Sequence, residues 1–302
     1  MNWENLTTFG LTQKSAGILA CTFLIHFVVM FVLWIIGRGH KNDSILDIYW
    51  GFSFVIAVWM AYVPGGAESS RAKLVVTLVT LWGARLGYHF LSRWVRIHGL
   101  GGDQRYQDIK DTLSRAGGFV PQALSGSDPQ QSKGSASGSG NYALKVLLVV
   151  YLPMWLAYDF AQINMMLLIM VPDQAPLNMA DYILAALMLS AILLETTADL
   201  QLDAFKANPA NEGKVLDTGV WAWSRHPNYF ANFCCYWIIF AMSLQVPGLW
   251  WTVISPLFMS WLLIGFTGKK WMDGHLKKRR PGYAEYIANT SGFVPWPPKR
   301  KT

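Results

Sequence analysis

The chain has 302 residues, of which 53% are hydrophobic and only 14% charged, and it contains 15 Trp. Soluble proteins carry roughly 25% charged residues, so an ordinary pair of soluble domains is excluded and lipid is expected to be the main solvent. The formal charge of +7 does not indicate nucleic acid, because basic membrane proteins concentrate Lys and Arg in their loops.

Apolar runs of about 18 residues or more predict membrane-spanning helices. The first runs from Ala16 to Ile36. It is too long for the apolar part of a signal peptide, and neither a basic leader nor a small-residue cleavage pattern accompanies it. Ile45 to Val63, Leu74 to Leu91, Tyr142 to Val171 and Tyr182 to Leu200 follow. The fourth of these five is long enough to tilt or to project from a bilayer. The last two, Tyr229 to Val246 and Leu249 to Phe266, are joined so tightly at Pro247 and Gly248 that they must form a hairpin. Seven spans predict an all-α, polytopic membrane protein, a single integral membrane domain over residues 1–302. Between Ser125 and Asn141 a Gly/Ser-rich stretch has nothing to bury and reads as a flexible linker.

Basic residues in short loops mark the cytosolic side. Loops on the C-terminal side of the seven spans hold Arg38, Lys41, Arg93, Arg96, Arg105, Lys110, Arg115, Lys133, Lys206, Lys214, Arg225 and nine more between Lys269 and Lys301. The opposite side holds only Lys14, Arg71 and Lys73. The N-terminus is therefore expected outside or lumenal and the C-terminus cytosolic. Cys21, Cys234 and Cys235 lie in apolar runs without metal-ligand spacing, so neither a metal site nor a disulfide framework is expected.

Ionisable groups at the ends of apolar spans are the informative exceptions. Glu195 and Asp199, four residues apart, share one face of the fifth helix. Either they form a solvated helix end, or they present a binding face for hydroxyls, amides or basic side chains. Arg225 and His226 stand just before Pro227, a residue favoured in the first helical turn, which puts both cations at the positive end of the sixth helix. Such a place suits phosphate oxygens, with guanidinium fork and free backbone N–H groups together, or else the two snorkel to headgroups. Beyond the basic run Lys277 to Arg280, Tyr283 and Tyr286 stand at helical spacing, and this tail could fold back over a ligand and pack a flat ring on a tyrosine.

The segments SILDIYWG (Ser44 to Gly51), LVTLWGARLGYH (Leu78 to His89), LLETTADLQ (Leu193 to Gln201), GVWAWSRHPNYF (Gly219 to Phe230), RRPGYAEY (Arg279 to Tyr286) and SGFVPW (Ser291 to Trp296) together resemble the membrane-bound steroid 5-alpha-reductase C-terminal domain family, in particular its DUF1295 branch. The resemblance implies a reductase that uses NADPH to saturate a carbon–carbon double bond conjugated to a carbonyl in a lipophilic, steroid- or isoprenoid-like substrate. Residues 193–296 would be its cofactor-binding region. Glu195 and Asp199 would contact the nicotinamide-ribose side, and Lys206, Lys214 and Arg225 the phosphates. His226, Asn228, Tyr229, Asp273, His275 and Tyr283 would complete the pocket. The family usually shows Gly-Glu after NYF, whereas Ala231 and Asn232 follow here, so one carboxylate contact is either lost or replaced by an amide.

For the chemistry, Asp47, Tyr49, Arg85 and Tyr88 are the inward-facing candidates on the second and third helices. His26 and His89 read as helix contacts. The implied host is the endoplasmic reticulum membrane in a eukaryote or the inner membrane in a bacterium. Two rivals stand beside this reading: a membrane methyltransferase using S-adenosylmethionine, suggested by SRHPNYF alone, and a non-enzymatic membrane protein with a degenerate pocket, suggested by Ala231-Asn232.

Overall fold

The computed structural model describes residues 11–40, 43–66, 68–97, 144–172, 175–266, 273, 276–277 and 280–298. The expected linker at 125–141 and His275 lie outside these residues. Among the described residues every regular element is helical, as the apolar runs predict.

Each expected span coincides with a helix. These are α1 (Gln13–His40), α2 (Ile45–Tyr62), α3 (Ser70–Ile97), α4 (Leu152–Met170), which a π-helical turn at Leu147–Tyr151 precedes, and α5 (Met179–Ala207). Then come α6 (Pro227–Ser243) and α7 (Ile254–Ser260), the latter flanked by a 3-10 turn at Trp250–Val253 and a π-helical turn at Trp261–Phe266. A short helix in the tail, α8 (Tyr283–Asn289), lies outside the expected spans. Five segments, ending with Met179–Ala207, are long and apolar enough to cross a bilayer. Segment Trp250–Gly265 is apolar but shorter, and α6 has 17 residues.

Local chemistry fixes the ends of the later helices. Asn178 caps α5 by accepting from the backbone N–H groups of Ala180 and Asp181, while the Asp181 carboxylate accepts from the Asn178 N–H. This reciprocal box satisfies donors that the first turn would leave orphaned. At the other end Asn208 is extended, as a residue before proline prefers. Pro227 starts α6, and Gly248, at φ 84°, reverses the chain between α6 and the next segment.

The described chain forms two compact units. Residues 18–57 and 80–160 make one. Within it, α2 and α3 meet through glycines: a Cβ on Gly51 would land on the Gly87 backbone, and one on Gly83 would come within 2.7 Å of the Gly51 carbonyl oxygen. Small residues permit such close backbone approach where lipid supplies no hydrophobic drive between helices. Phe54 and Trp82 stack beside this seam, ring centroids 4.9 Å apart. Around Met30, Leu46, Tyr49, Tyr151 and Tyr158 lies an aromatic-rich core, with Tyr151 donating to Asp43 at 2.8 Å and Tyr158 to the Leu46 carbonyl at 2.9 Å.

Residues 1–17, 58–79 and 161–302 make the other unit. Here Arg71 grips Asp181 with two bonds, Nε to Oδ1 and Nη2 to Oδ2, both 2.8 Å. Gln245 donates to the same carboxylate and accepts from Asn178. Sequence counting placed Arg71 among loop charges; in fact its side chain is 1% exposed, because a cation in an apolar setting must be paired. Nearby in the same unit, Asn164 donates to Ser243 and Thr252, a buried polar knot between α4, α6 and the turn after the α6 hairpin.

Candidate functional site

α5 and α6 pack against one another, and each carries polar groups at positions i and i+4 on the shared face. Asn232 donates to Glu195 at 3.2 Å and Asn228 donates to Asp199 at 3.1 Å. The rungs run antiparallel, Glu195 to Asp199 against Asn232 to Asn228. Glu195, Asp199 and Asn232 are all buried, so the solvated-end alternative for the two carboxylates is overturned. Repulsion between carboxylates one turn apart is relieved by amide donors from the facing helix, and Asn232 Oδ1 is left buried without a hydrogen-bond partner among the described residues. A glutamate at position 232 would set a second carboxylate against Glu195, where the asparagine supplies a neutral donor.

Next to the ladder, the loop before α6 is laid over α5. Trp221 donates from its indole to the Ala198 carbonyl, and Gln201 accepts from the Val220 N–H. Gly219, at φ 61°, passes so close to Gln201 that a Cβ there would collide with the amide. The left-handed backbone is what favours glycine here; the Gln201 amide is the tip of a side chain.

The tail folds back on this loop. Arg225 is the clasp. Its Nη2 and Nε donate to the two oxygens of Asp273 at 2.8 and 3.3 Å, and its Nη1 donates to the carbonyls of Ile287 and Thr290. His226 Nε2 lies 3.3 Å from Asp273, and the Tyr283 hydroxyl donates to that carboxylate at 2.9 Å. Tyr286 donates to the Trp221 carbonyl, Ser224 to the Phe293 carbonyl, and the Arg225 and Trp296 N–H groups donate to Ser291 and Trp223. Phe293 sits edge-on to Phe230 and Phe233. The SGFVPW string is thus the strip of tail that seals the first turn of α6.

Burial and this charge arrangement move the carboxyl and the phenols in opposite directions. Burial alone would raise the Asp273 carboxyl, but hydrogen bonds from His226, Arg225 and Tyr283, with the Arg225 charge, hold it well below the usual carboxylate range. Burial pushes the Tyr283 and Tyr286 phenols up, and the Asp273 charge pushes Tyr283 further.

Glu195, Asp199, Asn228 and Asn232, the residue that departs from the family pattern, form one group; Arg225, His226, Asp273 and Tyr283 form another; the first turn of α6 joins them, where His226 stacks on Tyr229 with ring centroids 5.8 Å apart. Lys206 and Lys214 are exposed, on and just beyond the end of α5. Two expectations change. Arg225 has its donors committed to Asp273 and to carbonyls, so the geometry gives it the task of holding the tail in place of a phosphate contact. Tyr283 and Tyr286 are buried and anchor the tail, so neither serves as a landing surface for a flat ring.

Among the proposed chemical residues, Tyr49 is buried and Asp47 and Arg85 are half-buried. Tyr88 is 70% exposed. It is not inward-facing, since the inner face of α3 at this level is taken by Gly83, Leu86 and Gly87. Asp159, paired with His26 at 2.8 Å, escaped sequence reading altogether. A carboxylate inside the apolar run Leu144–Met170 was the available signal.

Five helices long and apolar enough to cross a bilayer, the last of them joined to α6 by a polar ladder, define a multi-pass helical membrane protein. Residues 33–290 match the family described as protein of unknown function (DUF1295), and the chain belongs to that family. No curated protein and no solved structure matches it.

Proposed function

We propose that the protein is an NADPH-dependent membrane reductase acting on a carbon–carbon double bond conjugated to a carbonyl in a lipophilic substrate. The observation that carries this reading is the buried ladder of Glu195, Asp199, Asn228 and Asn232. Carboxylates accept from ribose hydroxyls and from a carboxamide, and amides both donate and accept. The buried Asn232 Oδ1, without a hydrogen-bond partner among the described residues, fits a ligand that donates there. Lys206 and Lys214, exposed on and just beyond the end of the helix that carries Glu195 and Asp199, fit phosphates as point charges. The sequence offers no GxGxxG turn after a strand, so a Rossmann site is not invoked.

When bound, such a cofactor supplies a hydride for the carbon beta to the carbonyl. The protein's share is to stabilise negative charge growing on the carbonyl oxygen and to deliver a proton to the alpha carbon.

Tritiated NADPH retained by the detergent-purified protein tests the reading, with unlabelled S-adenosylmethionine as competitor. Asp199→Asn should weaken NADPH binding about tenfold or more, the worth of one charge-assisted hydrogen bond. Unchanged affinity, or displacement by S-adenosylmethionine, removes the assignment. Mass spectrometry of membrane lipids with and without the protein, searched for pairs differing by two hydrogens, then identifies the substrate.

A further inference from the structure

A second polar group lies in the unit formed by residues 18–57 and 80–160, on α1, α2 and α4. His26 is 0% exposed, and its Nδ1 lies 2.8 Å from Asp159 Oδ1. A carboxylate acceptor makes Nδ1 the donor, which leaves Nε2 of the neutral ring as an acceptor. Tyr49 stands edge-on to the His26 ring, centroids 5.8 Å apart. Three atoms of this group are buried without a hydrogen-bond partner among the described residues: His26 Nε2, Asp159 Oδ2 and the Tyr49 hydroxyl. A native interior satisfies nearly all buried polar atoms, so three orphans on three touching side chains call for an occupant. The surroundings are apolar and aromatic, with Met30 and Tyr158 buried and Trp50 and Trp155 packed against them.

The unpartnered set is two acceptors and one donor. A carbonyl oxygen could only accept from Tyr49. A hydroxyl does both, accepting from Tyr49 and donating to Nε2 or Oδ2. We infer that His26, Tyr49 and Asp159 form a binding site for the hydroxyl head of a lipophilic alcohol whose hydrocarbon part lies in the apolar surroundings. This site stands without the reductase reading, since it needs no cofactor.

The test uses the full chain in detergent and three photoreactive long-chain probes, each with a diazirine near one end: a primary alcohol, the matching methyl ketone and the matching alkane. Cross-linked peptides are read by mass spectrometry. Peptides carrying His26, Tyr49 or Asp159 should be labelled by the alcohol about tenfold more than by the alkane, with the ketone between, as expected for two hydrogen bonds, one and none. Tyr49→Phe and Asp159→Asn should each bring alcohol labelling down to the level of the ketone or below. Because the Tyr49 hydroxyl has no hydrogen-bond partner among the described residues, Tyr49→Phe should leave the melting temperature unchanged or higher, which separates lost binding from lost folding. Equal labelling by alcohol and alkane, a ketone that exceeds the alcohol, or alcohol labelling that survives Tyr49→Phe would each overturn the site. So would a lowered melting temperature in Tyr49→Phe, which would mean the hydroxyl serves the fold. NADPH binding is measured separately, so failure of either proposal leaves the other standing.

Discussion

Arg225 shows how one side chain can be mistaken for a ligand when it is a fastener. A guanidinium at a helix N-terminus has the chemistry of an anion site, yet here its fork is filled by Asp273 and two tail carbonyls. Arg225→Ala should destabilise the protein by about 3 kcal/mol, since removing one partner leaves the other charge buried and uncompensated. Earlier proteolytic cleavage between residues 280 and 298 would report it. Asp273 makes the same clasp pH-dependent. Its carboxyl titrates lower in the folded protein than in the unfolded chain, so its contribution is complete above the unfolded value near 4 and is lost as pH falls below that through the depressed folded value. Protease resistance of the tail should therefore fall in acid, and Asp273→Asn should flatten that dependence while lowering resistance at neutral pH.

At the scale of elements, the α2–α3 seam separates glycines that matter from those that do not. Gly51→Ala forces a methyl group onto the Gly87 backbone, and backbone does not give way as a side-chain tip does. A loss of about 1–3 kcal/mol is expected, measured by unfolding in detergent. Gly17→Ala, on α1 with nothing within 4 Å of the added carbon, should be neutral or gain about 0.5–1 kcal/mol from helix propensity. Elements of this kind were legible in the sequence because a bilayer demands unbroken apolar runs, so the expected spans lie on α1 to α7 with shifts mainly at their ends. Half of the ladder was legible as well: Glu195 and Asp199 share a face by spacing alone. Their pairing with Asn232 and Asn228 was not, because it depends on which face of α6 meets α5, and an apolar helix does not announce its inner face to water. His26 and Asp159 were harder still, being 133 residues apart.

For the whole molecule the question is what fixes the chain in its membrane. Arg71 and Asp181 are buried to 1% and 0% exposure, and each is tolerable only because of the other. Asp181→Ala should cost about 3–5 kcal/mol by stranding Arg71, whereas the double replacement Arg71→Met with Asp181→Leu should recover most of that loss. Thermal melts of the two variants and the parent decide it; a double variant as weak as the single one would mean that Gln245 and Asn178, which share the network, cannot do without the charge. The same pair sharpens the expected orientation. With Arg71 paired inside the fold, Lys14 and Lys73 are the basic residues left in the loops expected outside, which strengthens the charge bias on which the expected cytosolic C-terminus rests. A reporter fused after Thr302 that fluoresces only in the cytosol should be active, and one that works only across the membrane should be silent. Adding Lys residues between α2 and α3 should begin to reverse the pair, because that loop would then compete with the basic segments on the other side for retention.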